Sequence, residues 1–222
     1  MKLRHEFKHE ISEFDFLVLR NKLAHTLIPD KNGTNGKYKI RSLYFDNIFD
    51  TALREKIDGV NCREKFRIRS YDDSTSFIRL EKKSKINGLC NKVSCRIYAD
   101  EVEKIISGDI DFMEHHEAAL MRELFFKMKN TGLHPKAIVD YTREAFTYPA
   151  GNVRITLDYN IRTGLSSTDF LNPNCATIPA GDKVIILEVK WDEYIPDFVK
   201  AMVQLDRRAT AFSKYGACRI YG

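Results

Sequence analysis

Apolar and polar residues alternate at a period of two over many short stretches of this chain, and the alternation is sharpest at residues 62–71. There Arg63, Lys65, Arg67 and Arg69 project from one face of a predicted strand, and Phe66 and Ile68 from the other. The same reading predicts a strand at 3–9, with Arg4, Glu6 and Lys8 opposite Leu3, His5 and Phe7. At 39–46, Ile40, Ser42, Tyr44 and Asp46 share a face against Lys39, Arg41, Leu43 and Phe45. Further strands are predicted at 77–83 (Arg79, Glu81 and Lys83 together), 92–98 (Lys92, Ser94, Arg96) and 137–147 (Tyr141, Arg143). Two more lie at 152–158 (Arg154, Thr156, Asp158) and 184–191 (Ile186, Glu188, Lys190 against Ile185, Leu187, Val189).

Helical spacing separates these strands. Ser12 with Asp15 forms a capping box for a first helix, whose apolar positions are read as Ile11, Phe14, Val18 and Leu27. A short helix is predicted at 47–55, and Asp100 with Glu103 caps another carrying Val102, Ile105 and Ile106. Residues 114–129 carry Met121, Leu124, Phe125 and Met128 at 3-4 spacing and stop at Gly132. His115 and His116 begin that helix, but neighbouring helical side chains diverge by about 100°, so they are read as polar end residues and not as a metal pair. Asn87-Gly88 predicts a hairpin turn. Residues 163–182 read as loop, and Pro196 opens a last helix carrying Phe198, Met202, Leu205 and Ala209. About eight strands joined by turns or single helices predict one domain of the α+β class: an eight-stranded antiparallel sheet curled into a barrel, with helices outside.

Composition narrows the picture. At 222 residues, 43% hydrophobic and 30% charged, the chain can build a real core. Five cysteines are odd in number and form no C-x-x-C pair, so neither a disulfide framework nor a structural zinc site is expected. No apolar run approaches the roughly 20 residues of a membrane span, and the charged N-terminus has no signal-peptide core, so a cytoplasmic setting is expected. The net charge of +5 is modest, but Lys and Arg concentrate on strand faces. If helices cover the apolar faces, the basic faces point inward, which is costly without a polyanion. Phosphate oxygens suit Arg forks and Lys point charges. Glu6, Glu81 and Glu188 stand among the cations; carboxylates there can share a divalent metal with phosphate oxygens, and oxygen ligands favour Mg²⁺ or Mn²⁺. They can equally pair with cross-strand cations. Nucleic acid is not the expected partner, because carboxylates beside phosphates gain nothing there and the basic strands are read as lacking exposed stacking aromatics.

The E-x-K pairs Glu6/Lys8, Glu81/Lys83 and Glu188/Lys190, together with Arg67-x-Arg69, resemble the triphosphate tunnel metalloenzyme (CYTH-like) superfamily. Ser42-Leu43-Tyr44-Phe45-Asp46, Tyr141-Thr142-Arg143, the strand Arg154 to Asp158 and Phe212-Ser213-Lys214-Tyr215 extend the resemblance to the VTC domain, a polyphosphate polymerase module. That resemblance implies transfer of the ATP terminal phosphoryl group to inorganic polyphosphate with Mn²⁺ or Mg²⁺. Carried over by position, Lys8, Arg67, Arg69, Lys83, Lys92, Arg96, Arg143, Arg154, Lys190, Ser213 and Lys214 would contact phosphates. Glu188 would hold metal, with Glu6 and Glu81 as further candidates. Of these, Lys8, Arg67, Arg69, Lys83, Arg143, Arg154 and Glu188 are the catalytic set. Arg4-x-Glu6-x-Lys8 stands where many superfamily hydrolases carry E-x-E-x-K, a departure that favours the VTC branch. ATP and inorganic polyphosphate are the implied partners, association with membrane partner proteins remains open, and a triphosphatase or a non-catalytic polyphosphate-binding module are the alternatives.

Overall fold

A computed structural model describes residues 4–87, 89–203 and 210–220. In chain order the elements are β1 (His5–Ile11), α1 (Glu13–Thr26), β2 (Ile28–Pro29), β3 (Lys37–Asp46), α2 (Thr51–Ile57), β4 (Arg63–Tyr71), β5 (Ser74–Ile86), β6 (Leu89–Ile97), α3 (Ala99–Ser107) and α4 (Ala119–Thr131). Then come β7 (His134–Tyr148), β8 (Val153–Thr163), β9 (Ile178–Pro179), β10 (Ile185–Trp191), α5 (Asp197–Val203) and α6 (Lys214–Ile220). The fold is α+β and its described strand ladders are antiparallel, with β2 and β9 as short additions to β7 and β8. No described helix is long and apolar enough to cross a membrane.

The chain divides into two compact units. The first comprises Met1–Lys39, Tyr141–Ile161 and Gly181–Phe212. Its strands run in the order β1-β10-β8-β7. One face of these strands supplies Ile11, Ile155, Leu157, Ile185, Leu187 and Val189, which are buried with Leu19 and Leu23 of α1 and Val199 and Val203 of α5. Each such side chain contributes roughly 1.5–3 kcal/mol by leaving water. The opposite face carries the charged residues. A buried carboxylate, Glu144, fastens α1 to this sheet: it accepts from Arg20 Nε at 2.7 Å and from Tyr159 Oη at 2.7 Å.

The second unit comprises Ile40–Asp140, Arg162–Ala180 and Ser213–Gly222. Here the order is β7-β3-β4-β5-β6. Leu43, Phe45, Phe66, Ile68, Ile78, Leu80 and Ile97 form the apolar face, buried with Val102 and Ile105 of α3 and Met121 and Leu124 of α4. Lys82, on the same side as these apolar residues, is fixed by Glu123 of α4. Helices therefore cover the apolar side of each unit's strands, and the other side is left for charge.

Several local expectations are corrected. Ser12 and Asp15 do form the capping box of α1, but Phe14 is 75% exposed and Val18 lies at the surface, while Leu19 and Leu23 are buried. The run Phe14 to Leu19 is apolar on nearly every side, so spacing alone could not orient the helix. The first turn of α3 is closed by Glu101, whose Oε2 accepts from Tyr98 N–H at 2.8 Å, and not by the pair Asp100/Glu103. His115 and His116 precede α4; His116 Nδ1 accepts from Ala118 N–H and Nε2 meets Glu101 at 2.9 Å. The helix after Pro196 is not the last, because α6 follows it. Gly88, Leu205 and Ala209 lie outside the described residues. The short helix expected at 47–55 begins at Thr51, after an N-cap Asp50 that makes no side-chain cap bond; Asp46, at the end of β3, supplies acceptors to its first turn. Fully buried, Asp46 accepts from Ala52 N–H (2.9 Å), Leu53 N–H (3.1 Å) and Tyr215 Oη of α6 (2.7 Å). Asp46→Ala leaves these donors unpaired and is expected to cost about 3 kcal/mol, read from the denaturant midpoint.

Candidate functional site

The charged face of the second unit is a grid set by strand register. Lys65 of β4 lies opposite Lys83 of β5, which lies opposite Lys92 of β6. The next row is Tyr44, Arg67, Glu81 and Ser94, and the one after it Ser42, Arg69, Arg79 and Arg96. Arg63 and Lys85 add a fourth cationic row. Among the described residues of this face on β4, β5 and β6, Glu81 is the one carboxylate.

Glu81 is 1% exposed and saturated with cations. Its Oε2 accepts from Arg67 Nε at 2.7 Å and pairs with Arg67 Nη2 at 2.6 Å and Arg69 Nη1 at 3.7 Å, and its Oε1 accepts from Lys92 at 2.6 Å. Burial alone would raise its pKa, but Arg67, Arg69 and Lys92 hold it well below the ordinary carboxylate range. Cross-strand pairing is thus what this Glu does, and both of its oxygens are taken. Arg69 is itself buried, with Nε donating to Ser42 Oγ at 3.2 Å. Arg79 donates to Ser94 Oγ at 2.6 Å, while its buried Nε has no partner. Lys83 is half-buried; Arg96 is exposed.

Sequence reasoning assigned no role to Tyr44. Its hydroxyl meets Arg67 Nη1 at 2.9 Å, and its ring stacks on Tyr215 at 5.0 Å between centroids and lies 5.5 Å from Lys65 Nζ. Burial pushes the phenol up, but Arg67, Lys65 and Arg69 more than reverse this and bring its pKa to about 7. The alternation Ser42-x-Tyr44 was the available signal; the convergence of three cations on one hydroxyl was not readable.

In the first unit the charged face is balanced. Glu6 lies opposite Lys190, and Lys190 opposite Arg154; Lys8 lies opposite Glu188, and Glu188 opposite Thr156. Lys8 Nζ sits 2.5 Å from Glu6 Oε1 and 3.3 Å from Glu188 Oε2. Lys190 pairs with both carboxylates as well. Burial disfavours the Lys8 ammonium, but Glu188 and Glu6 together raise its pKa above the usual lysine value. Arg143 is clamped by Asp158 through Nε–Oδ1 at 2.6 Å and Nη2–Oδ2 at 2.7 Å, which overrides burial and keeps it charged. Arg154 pairs with Asp30 at 2.6 Å and donates to Tyr38 Oη at 2.9 Å. These two arginines are anchored by local acids, a pairing that strand alternation did not reveal. Ser213 and Lys214 are at the start of α6, where Ser213 Oγ accepts from Gly216 N–H at 3.2 Å.

Glu6 and Glu188 are carboxylates on neighbouring strands, and Thr156 Oγ1, opposite Glu188, is buried without a partner. Their oxygens are held by Lys8 and Lys190, as those of Glu81 are by Arg67, Arg69 and Lys92, so a divalent metal bound by any of the three would take the place of a cation now paired there. Among the described residues no group of three His, Cys, Asp or Glu forms a protein cage. Magnesium-type ions commonly take one or two carboxylates and complete their shell with water and phosphate oxygens.

An antiparallel α+β fold of this kind is shared with solved structures. The bh2851 protein of Bacillus halodurans, described as a candidate adenylate cyclase, aligns at a TM-score of 0.52 and 14% identity over 85% of this chain and 80% of its own. PH1012 from Pyrococcus horikoshii OT3 aligns at 0.52 and 10% identity over 95% of this chain and 96% of its own. At such identities the likeness is one of fold. No curated protein matches the sequence. The VTC domain family model matches residues 3–220, so the chain belongs to the VTC domain family. Family and face together make it a phosphate-handling enzyme or binding module.

Proposed function

We propose that this protein is a metal-dependent polyphosphate polymerase that transfers the γ-phosphoryl group of ATP to an inorganic polyphosphate chain. The cationic grid with Glu81 as its one carboxylate carries this reading. Arg67, Arg69, Lys83 and Lys92 hold phosphate oxygens and neutralise charge that spreads over them during transfer. Arg96, at the exposed end, attracts substrate, as do Arg63 and Lys65. In the first unit Lys8, Lys190, Arg143 and Arg154 are further cations for phosphate, and Glu6 and Glu188 would hold Mn²⁺ or Mg²⁺, which would supply positive charge to a phosphate bound on that face. Glu81 serves as the pin that keeps Arg67 and Lys92 in place.

The state of the carboxylates favours an acceptor phosphate over water. A terminal phosphate oxygen is already anionic near neutral pH and attacks the γ-phosphorus without a base, as the bond to the ADP oxygen breaks. Water needs a base or positioning group. Glu81 is a poor base because its pKa is depressed, and Glu6 and Glu188 are each paired with lysine. Incubation with ATP and Mn²⁺ tests the reading: polymer is expected to accumulate. Release of phosphate alone would make the protein a triphosphatase, and binding without turnover a non-catalytic module.

Tyr44 gives the site a pH dependence. The phenol is neutral below pH 7 and becomes an anion as pH rises through about 7, where it cancels positive charge that a phosphate would otherwise meet. Metal-free affinity for tripolyphosphate is therefore expected to fall between pH 7 and 9, by at most about tenfold per unit. Tyr44→Phe flattens that profile in calorimetric titrations, and an unchanged profile would remove Tyr44 from the site.

A further inference from the structure

Beyond the row Ser42–Arg69–Arg79–Arg96, the same face of the second unit ends in aromatic rings. Phe77 lies two residues before Arg79 on β5, and Tyr98 two residues after Arg96, just past the end of β6 and at the N-cap of α3. A register shift between Arg69 and Tyr71 turns Tyr71 towards Phe77, with ring centroids 6.3 Å apart. The guanidinium groups of Arg79 and Arg96 lie 5.8 and 5.9 Å from the Phe77 ring centre, and Arg96 lies 5.4 Å from that of Tyr98. Phe77 is 44% exposed and Tyr98 58%. This corrects the expectation that the basic strands lack exposed stacking aromatics.

We infer that Phe77, Tyr98 and Arg96 form a stacking platform for the base of a nucleotide whose phosphates occupy the neighbouring cationic rows. The inference rests on the reading of this face as a phosphate site. The sequence of surfaces along one strand matches a ligand with an anionic end and a flat apolar end. Along β5 the order is Lys83, Glu81 (paired with Arg67, Arg69 and Lys92), Arg79, Phe77: a face dominated by cations, then an aromatic ring. From Glu81 to Phe77 is four residues, about 13 Å of strand, the length scale of an extended triphosphate and ribose. Arg79, whose buried Nε has no partner, stands at the boundary between the rows and offers a donor to an anion there. Aromatic rings and guanidinium planes both stack on bases, and they accept any base because every base has a π-face. The platform therefore tolerates different bases and favours purines, which cover more ring surface. Inorganic polyphosphate, which has no flat end, gains nothing from it.

The test compares two ligands in EDTA on the full chain, ATP and inorganic tripolyphosphate, by calorimetry. Phe77→Ala combined with Tyr98→Ala is expected to weaken ATP binding about 5- to 100-fold and to leave tripolyphosphate within twofold. Both side chains are exposed, and an unchanged thermal midpoint verifies the fold. An equal loss for both ligands, or no loss for either, overturns the platform while leaving the phosphate site standing. Binding of neither ligand by the wild type sinks the phosphate reading and the platform with it. Tighter binding of a short oligoadenylate than of ATP would make this face one for single-stranded nucleic acid and would also overturn the inference. Among nucleotides, GTP is expected to bind like ATP, and CTP more weakly.

Discussion

Glu188→Gln is expected to abolish metal-stimulated turnover of ATP, by about 100-fold or more, while tripolyphosphate still binds in EDTA. The substitution keeps the shape of the side chain and removes the charge a divalent cation requires. It also removes a partner that Lys8 and Lys190 share, leaving Glu6 to hold both ammonium groups. Phosphate affinity should therefore stay constant or rise, the opposite direction from turnover. Rates across a Mn²⁺ titration, set beside calorimetry without metal, read the two effects separately. Turnover above a tenth of wild type at saturating Mn²⁺ would take Glu188 out of the metal-binding set.

Arg67→Ala with Arg69→Ala is the second large effect, and its interpretation depends on Glu81. Strand alternation alone suggests that both arginines can be removed without harm to the fold. The structure shows otherwise: Arg69 is buried, and both pair with a carboxylate that is 1% exposed. The double substitution leaves Glu81 with Lys92 as its remaining described ion pair and is expected to cost about 3–5 kcal/mol of stability as well as at least about 100-fold in tripolyphosphate affinity. Adding Glu81→Gln removes the stranded charge and should restore most of the stability without restoring binding. Recovery of both together would mean that the arginines act on the fold alone. Stability supplied by Glu81 is present at neutral pH and is lost as pH falls below the ordinary carboxylate range towards its depressed pKa.

The strands were legible because period-two alternation survives wherever one face is covered and the other carries charge, as in β4, β5 and β10. Boundaries fared worse where the cause was distant. The first turn of α2 finds its acceptors on Asp46, which is also held by Tyr215 more than 160 residues away in sequence. The seven residues of α6 are too few to show a helical period, and α1 carries apolar residues on too many sides to reveal which is buried. At the site, the membership of each charged face followed from alternation, but the pairing within it did not. That Arg143 is clamped by Asp158, that Glu81 serves three cations and that Tyr44 meets Arg67 are all cross-strand facts, fixed by register. The aromatic row was hidden for a related reason: Tyr71 reaches Phe77 through a register shift, which no alternating pattern records.

The unequal charge of the two faces also has a practical side. A surface with many cations and a single acid collects small oxyanions from its medium, and does so most strongly at low ionic strength. Phosphate or sulfate buffers would then act as competitive inhibitors, and apparent Michaelis constants would drift with the choice of salt. The balanced lysine–glutamate face should be far less sensitive. Assays in a zwitterionic buffer with chloride as the counterion would reveal the protein's own affinity, and the spread between buffers would itself measure how unbalanced that surface is.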